Sequence, residues 1–243
     1  FLDKEYNGYY EVFSRDWQRS RDRLIGERTP ADEKTMNTSL HIMEAYANLY
    51  RVWPSKKMAE RLENMVNIFL DHIIDKNTYH LICFLDRQWN GTSQIDSYGH
   101  DIESSWLLYE AALLLKDPVL LQKVKDVSVK IADAASEGLL ADGGMLTEKD
   151  RATGHLRLTR SWWEQAESVV GYTNAYELTG NEDYLNKAIH AWYFIDMYMV
   201  DKENGSWFTS VTPGGIGGGD KAGNWICPYH NGRMCMEIIE RVE

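Results

Sequence analysis

The stretch HDIESSWLLY, residues 100–109, decides the reading of this chain. It places a histidine three residues before a glutamate and follows both with apolar residues at helical spacing, so His100 and Glu103 share one face of a helix. Two relatives of the stretch lie elsewhere in the chain, HIMEAYANLY at 41–50 and EQAESVVGYTNAY at 164–176. Their glutamates, Glu44, Glu103 and Glu167, are 59 and 64 residues apart, and each has a polar residue three positions before it: His41, His100 and Glu164. Self-similarity at a fixed period signals a repeat architecture.

Around these anchors the apolar positions recur at three and four spacing over residues 36–50, 55–74, 101–116, 117–135, 162–178, 182–200 and 229–241, which predicts seven helices arranged in pairs. Asp117 and Asn181 stand at N-cap positions, and Gly138 and Gly180 at C-termini. After each pair comes an irregular stretch with strand character: YHLICFLDRQW, DGGMLTEKD and NGSWFTSV. The last belongs to DKENGSWF (201–208), which repeats DKEYNGYY (3–10) apart from one inserted tyrosine, and the Asn-Gly in each reads as a tight hairpin turn. By the period of the repeat a helix pair is expected ahead of Asp3, so the sequence reads as the C-terminal part of a longer protein. Units of helix, helix and hairpin stack as a solenoid or close into a toroid. In an α/α toroid the first helix of each pair faces inward, and the His-x-x-Glu positions would gather at one mouth.

Composition narrows the function. The 243 residues carry a formal charge of −11, which disfavours nucleic acid and anionic membrane as partners. No basic run or P-loop suggests phosphate binding, and no segment approaches 18 uninterrupted apolar residues. Three scattered cysteines, Cys83, Cys227 and Cys235, are no disulfide framework and fit a reducing, cytoplasmic compartment. Nine tryptophans and 14 tyrosines exceed what a core alone calls for; some could stack on the apolar faces of a sugar ring.

Of the seven histidines, His72, His80, His155 and His190 read as structural or solvent-exposed. His41, His100 and His230 are each placed next to a helix start or within its first turn, where the dipole favours a neutral imidazole ready to act as a base. Glu103, by favouring the charged form, would make the His100 pair a tuned acid/base unit. Other readings stay open on the residues alone. His41, Glu44, His100, Glu103, Glu164 and Glu167 could form a carboxylate–histidine metal cluster, although di-iron bundles use Glu-x-x-His and this order is reversed. Three imidazoles also resemble a zinc site. Glu103 with Asp101, Glu164 or Glu167 could be a glycosidase pair. Cys227, three residues before His230, is a weak nucleophile candidate. Trp162 and Trp163 open a helix and Trp225 lies five residues before His230, so each could line a pocket rim.

The motifs SYGHDIESSWLL, SWWEQAESVVGY and DKAGNWICPYHNGRMCMEII, with TMNTSLHIMEAYANLYR, together resemble the cellobiose 2-epimerase branch of the N-acylglucosamine 2-epimerase family, from about Asp3 to the C-terminus. The resemblance implies an all-α (α/α)6 barrel, here one truncated catalytic domain over residues 1–243, and an isomerase without metal or cofactor. It implies a disaccharide substrate inverted at C2 of its reducing-end glucose, through ring opening and a cis-enediolate. His100 and His230 would be the two acid/bases and His41 would assist ring opening. Glu103 would orient His100, Trp162 or Trp163 and Trp225 would stack on the sugars, and Asn37 would line the site. A mannose isomerase, an N-acylglucosamine 2-epimerase or a non-catalytic sugar-binding fragment are the alternatives. The family barrel needs six helix pairs and this sequence has about three and a half, so the chain alone is expected to be inactive or weakly active unless the missing segment or another chain completes it.

Overall fold

A computed structural model describes residues 1–18 and 33–242. Among these, seven α-helices are present: α1 (Met36–Val52), α2 (Lys56–Ile68), α3 (Tyr98–Leu115), α4 (Pro118–Ala135), α5 (Trp162–Thr179), α6 (Glu182–Phe194) and α7 (Tyr229–Val242). They match the seven periodic stretches of the sequence. The strands are short: β1 (Lys34–Thr35), β2 (Phe84–Leu85), β3 (Ile95–Ser97), β4 (Glu148–Asp150), β5 (Leu156–Arg157), β6 (Arg160–Ser161), β7 (Ser210–Val211) and β8 (Gly217–Gly218). No helix among the described residues is long and apolar enough to cross a membrane. Cys83, Cys227 and Cys235 are all free thiols, the first buried and the other two exposed.

The chain divides into two compact units, residues 1–96 with 107–124, and residues 97–106 with 125–243. In the first, α1 packs on α2 around Leu40, Met43, Leu62, Met65, Val66 and Phe69, all essentially inaccessible to solvent. β1 pairs antiparallel with β2, Lys34 opposite Leu85. In the second, α5 packs on α6 and α7, and the core gathers Tyr98, Ile102, Ala132, Met145, Tyr172, Ala175 and Tyr184. β4 pairs with β5, and β7 lies between β6 and β8.

The repeat has local devices of its own. α2 and α6 each end in a five-residue π-helical turn, Phe69–Ile73 and Ile195–Met199, closed by hydrogen bonds from Ile74 and Val200 to the carbonyls of Phe69 and Ile195, both 3.0 Å. An aspartate-led hairpin follows each. The Asn-Gly turns are therefore wider than a two-residue loop. Asp3 Oδ1 accepts from the N–H groups of Glu5 and Tyr6, and Asp201 Oδ1 from those of Glu203 and Asn204. The aspartate carboxylate satisfies N–H groups inside the turn, while the flanking chain still pairs, Leu2 with Tyr9 and Val200 with Trp207. α1 and α5 are each entered through a buried cation and a hydroxyl cap. Lys34 Nζ donates to the carbonyls of Asn7 and Arg87 at 2.6 and 2.8 Å. Arg160 donates to Asp142 and to the Thr212 carbonyl, both at 2.6 Å. Thr35 caps α1, and Ser161 forms a capping box with Glu164 at the start of α5.

Candidate functional site

The second unit gathers most of the residues singled out by the sequence onto the first two turns of α3, α5 and α7. On α3 the row Ser97, His100, Glu103, Trp106 runs at three-residue spacing down one face. Ser97 precedes the helix and its Oγ lies 2.7 Å from Nδ1 of His100. On α5 the equivalent row is Ser161, Glu164, Glu167. Glu164 stands where His100 stands on α3, and its Oε2 accepts the Ser161 N–H at 2.6 Å. On α7 the row is His230 and Arg233.

Two glycines allow these rows to meet. A Cβ on Gly171 would lie 2.7 Å from the carbonyl oxygen of Ile102 and 2.6 Å from its Cγ1, so α5 approaches the backbone of α3 as only glycine permits. A Cβ on Gly99 would lie 2.5 Å from both the Trp163 ring and Cγ of Glu164.

Trp163 therefore sits against the start of α3, with its ring 4.7 Å from the imidazole of His100 and 5.6 Å from that of His230. One indole thus touches both imidazoles. Trp162 meets His230 edge-on at 6.3 Å, and Tyr229 does so at 4.7 Å. Trp225 is 69% exposed, in the loop that leads into α7.

Beneath His230 lies a buried charge cluster. Nδ1 of His230 is 2.8 Å from Oε1 of Glu167 and 3.8 Å from Oε1 of Glu103. Nη2 of Arg233 donates to the same two oxygens, 2.6 Å to Glu103 and 2.7 Å to Glu167. Nε1 of Trp106 donates to Oε2 of Glu167 at 3.0 Å. Nη1 of Arg233 donates to the Tyr229 hydroxyl at 2.6 Å, and the guanidinium lies 4.4 Å from the Tyr229 ring and 4.9 Å from that of Trp106. Burial pushes the Glu167 carboxyl up, but Arg233 and the hydrogen bond from His230 outweigh it, and the net direction is down. Glu167 is thus an ionised acceptor, and Nδ1 of His230 lies within hydrogen-bond distance of it. Among the described residues no such cation faces Glu164. Burial pushes it up to about 8, against the lowering effect of the Ser161 N–H, so it stays protonated at neutral pH.

Several expectations change on this geometry. His41 is not in the first turn of its helix. α1 starts at Met36, so His41 is its sixth residue, one turn further along than His100 on α3. The cap hydroxyl of Thr35 is taken by the Thr38 N–H, and His41 pairs instead with Glu44, Nδ1 to Oε2 at 3.1 Å. Asn37 is the second residue of α1 and half-buried. His41 and Asn37 belong to the first unit, the other candidates to the second. Glu103, read as the partner of His100, also bonds Arg233 and faces His230. Glu103, Glu167 and His230 do offer three ligand atoms within 4.8 Å of one another, the arrangement a metal would need. The Arg233 guanidinium bonds both carboxylates, so the chain itself supplies a cation at that place. Ser97, Trp106, Tyr229 and Arg233 were not singled out from sequence, although each lies three residues from, or next to, one that was.

The sequence pattern of the N-acylglucosamine 2-epimerase (GlcNAc 2-epimerase) family matches residues 3–230. The cellobiose 2-epimerase of Bacteroides fragilis is 46% identical over 235 residues, 96% of this chain and 60% of the relative. That of Ruminococcus albus is 39% identical over 237 residues, again 96% of this chain and 60% of the relative. Among solved structures, a sugar epimerase from a ruminal bacterium superimposes with a TM-score of 0.93 at 37% identity, covering 99% of this chain and 62% of that one. The cellobiose 2-epimerase of Bacillus thermoamylovorans does so with a TM-score of 0.92 at 37% identity and the same coverage. The chain therefore has the fold of these epimerases and spans about 60% of the length of the curated relatives it matches.

Proposed function

Since the chain belongs to the N-acylglucosamine 2-epimerase family, we propose that it carries the proton-transfer machinery of a sugar 2-epimerase acting on cellobiose and related β-1,4-disaccharides. The reading rests on one observation above the rest: two imidazoles on different helices touch the same tryptophan ring, each with its Nδ1 engaged by a neighbour within the chain. In this reading a substrate stacked on Trp163 meets both rings.

In the ring-opened sugar the C1 aldehyde acidifies the C2 proton. One imidazole removes it to give a cis-enediolate, and the other returns a proton to the opposite face. A carbon that must be protonated from both sides calls for two bases, because one imidazole cannot reach both. Glu167 holds His230 in the tautomer with Nδ1 protonated, and Ser97 does the equivalent service for His100. Trp162 and Trp225 add stacking surface. The machinery needs no metal in this reading, the Arg233 cation balancing the two buried carboxylates. Because the chain spans about 60% of the relatives' length, full turnover is expected only when the rest of the fold is supplied.

The test is solvent exchange at C2. Cellobiose is incubated in D2O with the chain alone and with the chain joined to the additional residues of a full-length relative, and the product is examined by NMR. The joined protein should place deuterium at C2 and form the mannose epimer, and His100→Ala and His230→Ala should each abolish the epimer, leaving at most exchange with retention by the imidazole that remains. Full activity in either variant would break the two-base assignment. Full turnover by the purified monomeric 243-residue chain would break the expectation that it needs completion.

A further inference from the structure

We propose that Arg233 is a positioning residue for His230: by holding Glu103 and Glu167 on one guanidinium as carboxylates, it fixes Nδ1 of His230 as the nitrogen with the permanent proton and leaves Nε2 to exchange the mobile one. Only the destination of that mobile proton rests on the epimerase reading.

The geometry carries the argument. Oε1 of Glu103 and Oε1 of Glu167 both accept from the same Nη2, and both glutamates are essentially inaccessible to solvent. Two carboxylates this close in a dry site cannot both stay ionised without a cation between them; one takes up a proton. If Glu167 took it on Oε1, its other oxygen already accepting the Trp106 N–H, that oxygen would present an O–H to His230. Nδ1 of His230, 2.8 Å away, would then have to accept, and the ring proton would move to Nε2, the edge meant for substrate. The guanidinium prevents this. It is itself held against slippage: Nη1 bonds the Tyr229 hydroxyl, and the guanidinium lies within 5 Å of the rings of Tyr229 and Trp106. The Trp106 indole N–H anchors the second oxygen of Glu167. Among the described residues, the titratable groups facing the cluster include Glu103 from α3, Glu167 from α5, and Tyr229 and His230 from α7. A lysine could supply the charge but not the planar fork that reaches both carboxylates and the Tyr229 hydroxyl.

The ring nitrogens of His230 report the tautomer directly. In the 15N-labelled 243-residue chain, with His230 assigned by its absence in His230→Gln, Nδ1 should carry the proton across the titration and Nε2 should titrate. Arg233→Met should shift the neutral ring to the Nε2-protonated tautomer, and Arg233→Lys should restore at least about half of the original population, since it returns the charge. A wild-type ring protonated at Nε2 overturns the proposal even if Arg233→Met fails to fold. So does a folded Arg233→Met that keeps Nδ1 protonated, or a lysine variant without rescue. In the joined protein of the C2-exchange test, kcat for cellobiose should fall on the order of 100-fold in Arg233→Met with KM changed less than about threefold. The lysine variant should recover much of that loss. No C2 exchange in the joined wild type, alongside the expected tautomers, would sink the epimerase reading and leave Arg233 in place. Normal exchange with an unmoved tautomer in Arg233→Met would do the reverse.

Discussion

Glu164→Gln should stabilise the protein, and by an amount that grows with pH. Glu164 is fully buried in the first turn of α5, where the helix dipole favours an anion, yet its carboxyl is pushed up to about 8 by burial. In the unfolded chain the same group ionises near 4.5. Between those values the folded state holds a proton that the unfolded state has released. The unfolded chain therefore binds fewer protons, and folding loses stability as pH rises. One pH unit is worth ~1.4 kcal/mol, so the ceiling on the cost is about 5 kcal/mol by pH 8. Water entry and relaxation bring the effective penalty down, to roughly half of that. Glutamine keeps the group neutral at every pH: its carbonyl can accept the Ser161 N–H as Oε2 does, and its amide takes the place of Oε1, which has no hydrogen-bond partner among the described residues. Below pH 4.5 the two proteins should melt together. At pH 8 the variant should melt higher by ~5–10 °C, taking about 2–4 °C per kcal/mol for a chain of this size. Scanning calorimetry of both proteins at half-unit steps from pH 4 to 9 decides the matter. A difference in Tm that stays flat across that range would refute the protonated-cap reading. A variant less stable than the wild type at pH 8 would show that Glu164 is an ion with a partner.

Glu167 should behave in the opposite sense: its carboxyl is held low, so its stabilisation is present above about pH 4.5 and is lost on acidification through its folded value, and Glu167→Gln should flatten the acid limb of the Tm profile. In C2-exchange assays the same variant loses a charge-assisted hydrogen bond to His230, worth about 1.5–3 kcal/mol, and should slow exchange roughly 10- to 150-fold; a loss below about threefold would contradict the orienting assignment. Ser97→Ala removes only a neutral bond to His100, so exchange should fall about 2- to 12-fold with little change in Tm, and an unchanged rate would count against it. Gly171→Ala should lower Tm by a few degrees, about 1–3 kcal/mol, because its Cβ meets the Ile102 carbonyl; a variant as stable as the wild type would show that α3 and α5 can part without cost.

The helices were legible in the sequence because their apolar residues keep the helical period, and the structure places all seven where that period runs. The start of α3 was set at Asp101, three residues late. Gly99 hides it, being a poor helix former, and it is there because any side chain would strike Trp163 and Glu164. The hairpins were legible as turns but not in their width, because the aspartate that opens each one does its bonding through a side chain that an Asn-Gly signature does not count. Arg233 escaped notice for a different reason. A single arginine on an amphipathic helix reads as a solvated charge, and nothing local to α7 says that two glutamates from α3 and α5 meet it. Burial and ion pairing across 130 and 66 residues of sequence are tertiary facts.

The spacing that was legible nevertheless contained the site. A residue three places beyond a helix-entry serine falls over the first exposed turn, and one three places further falls beneath it. On α3 those places hold His100 and Glu103; on α5 they hold Glu164 and Glu167. The lower residue is a buried carboxylate in both, and the two are joined by Arg233. The upper residue differs, and with it the chemistry: a histidine beside Ser97 on α3, and on α5 an acid spent on capping its own helix. The repeat duplicated the frame, while the second imidazole at Trp163 comes from α7. His230 reaches the α5 carboxylate that Glu164 could not use, at 2.8 Å. An α5 with histidine at 164 would meet His230 across the same indole, so Glu164→His should crowd Trp163 and lose C2 exchange rather than add a third base. Exchange at or above the wild-type rate would mean that the two rows are interchangeable and that α7 is not needed as the second carrier.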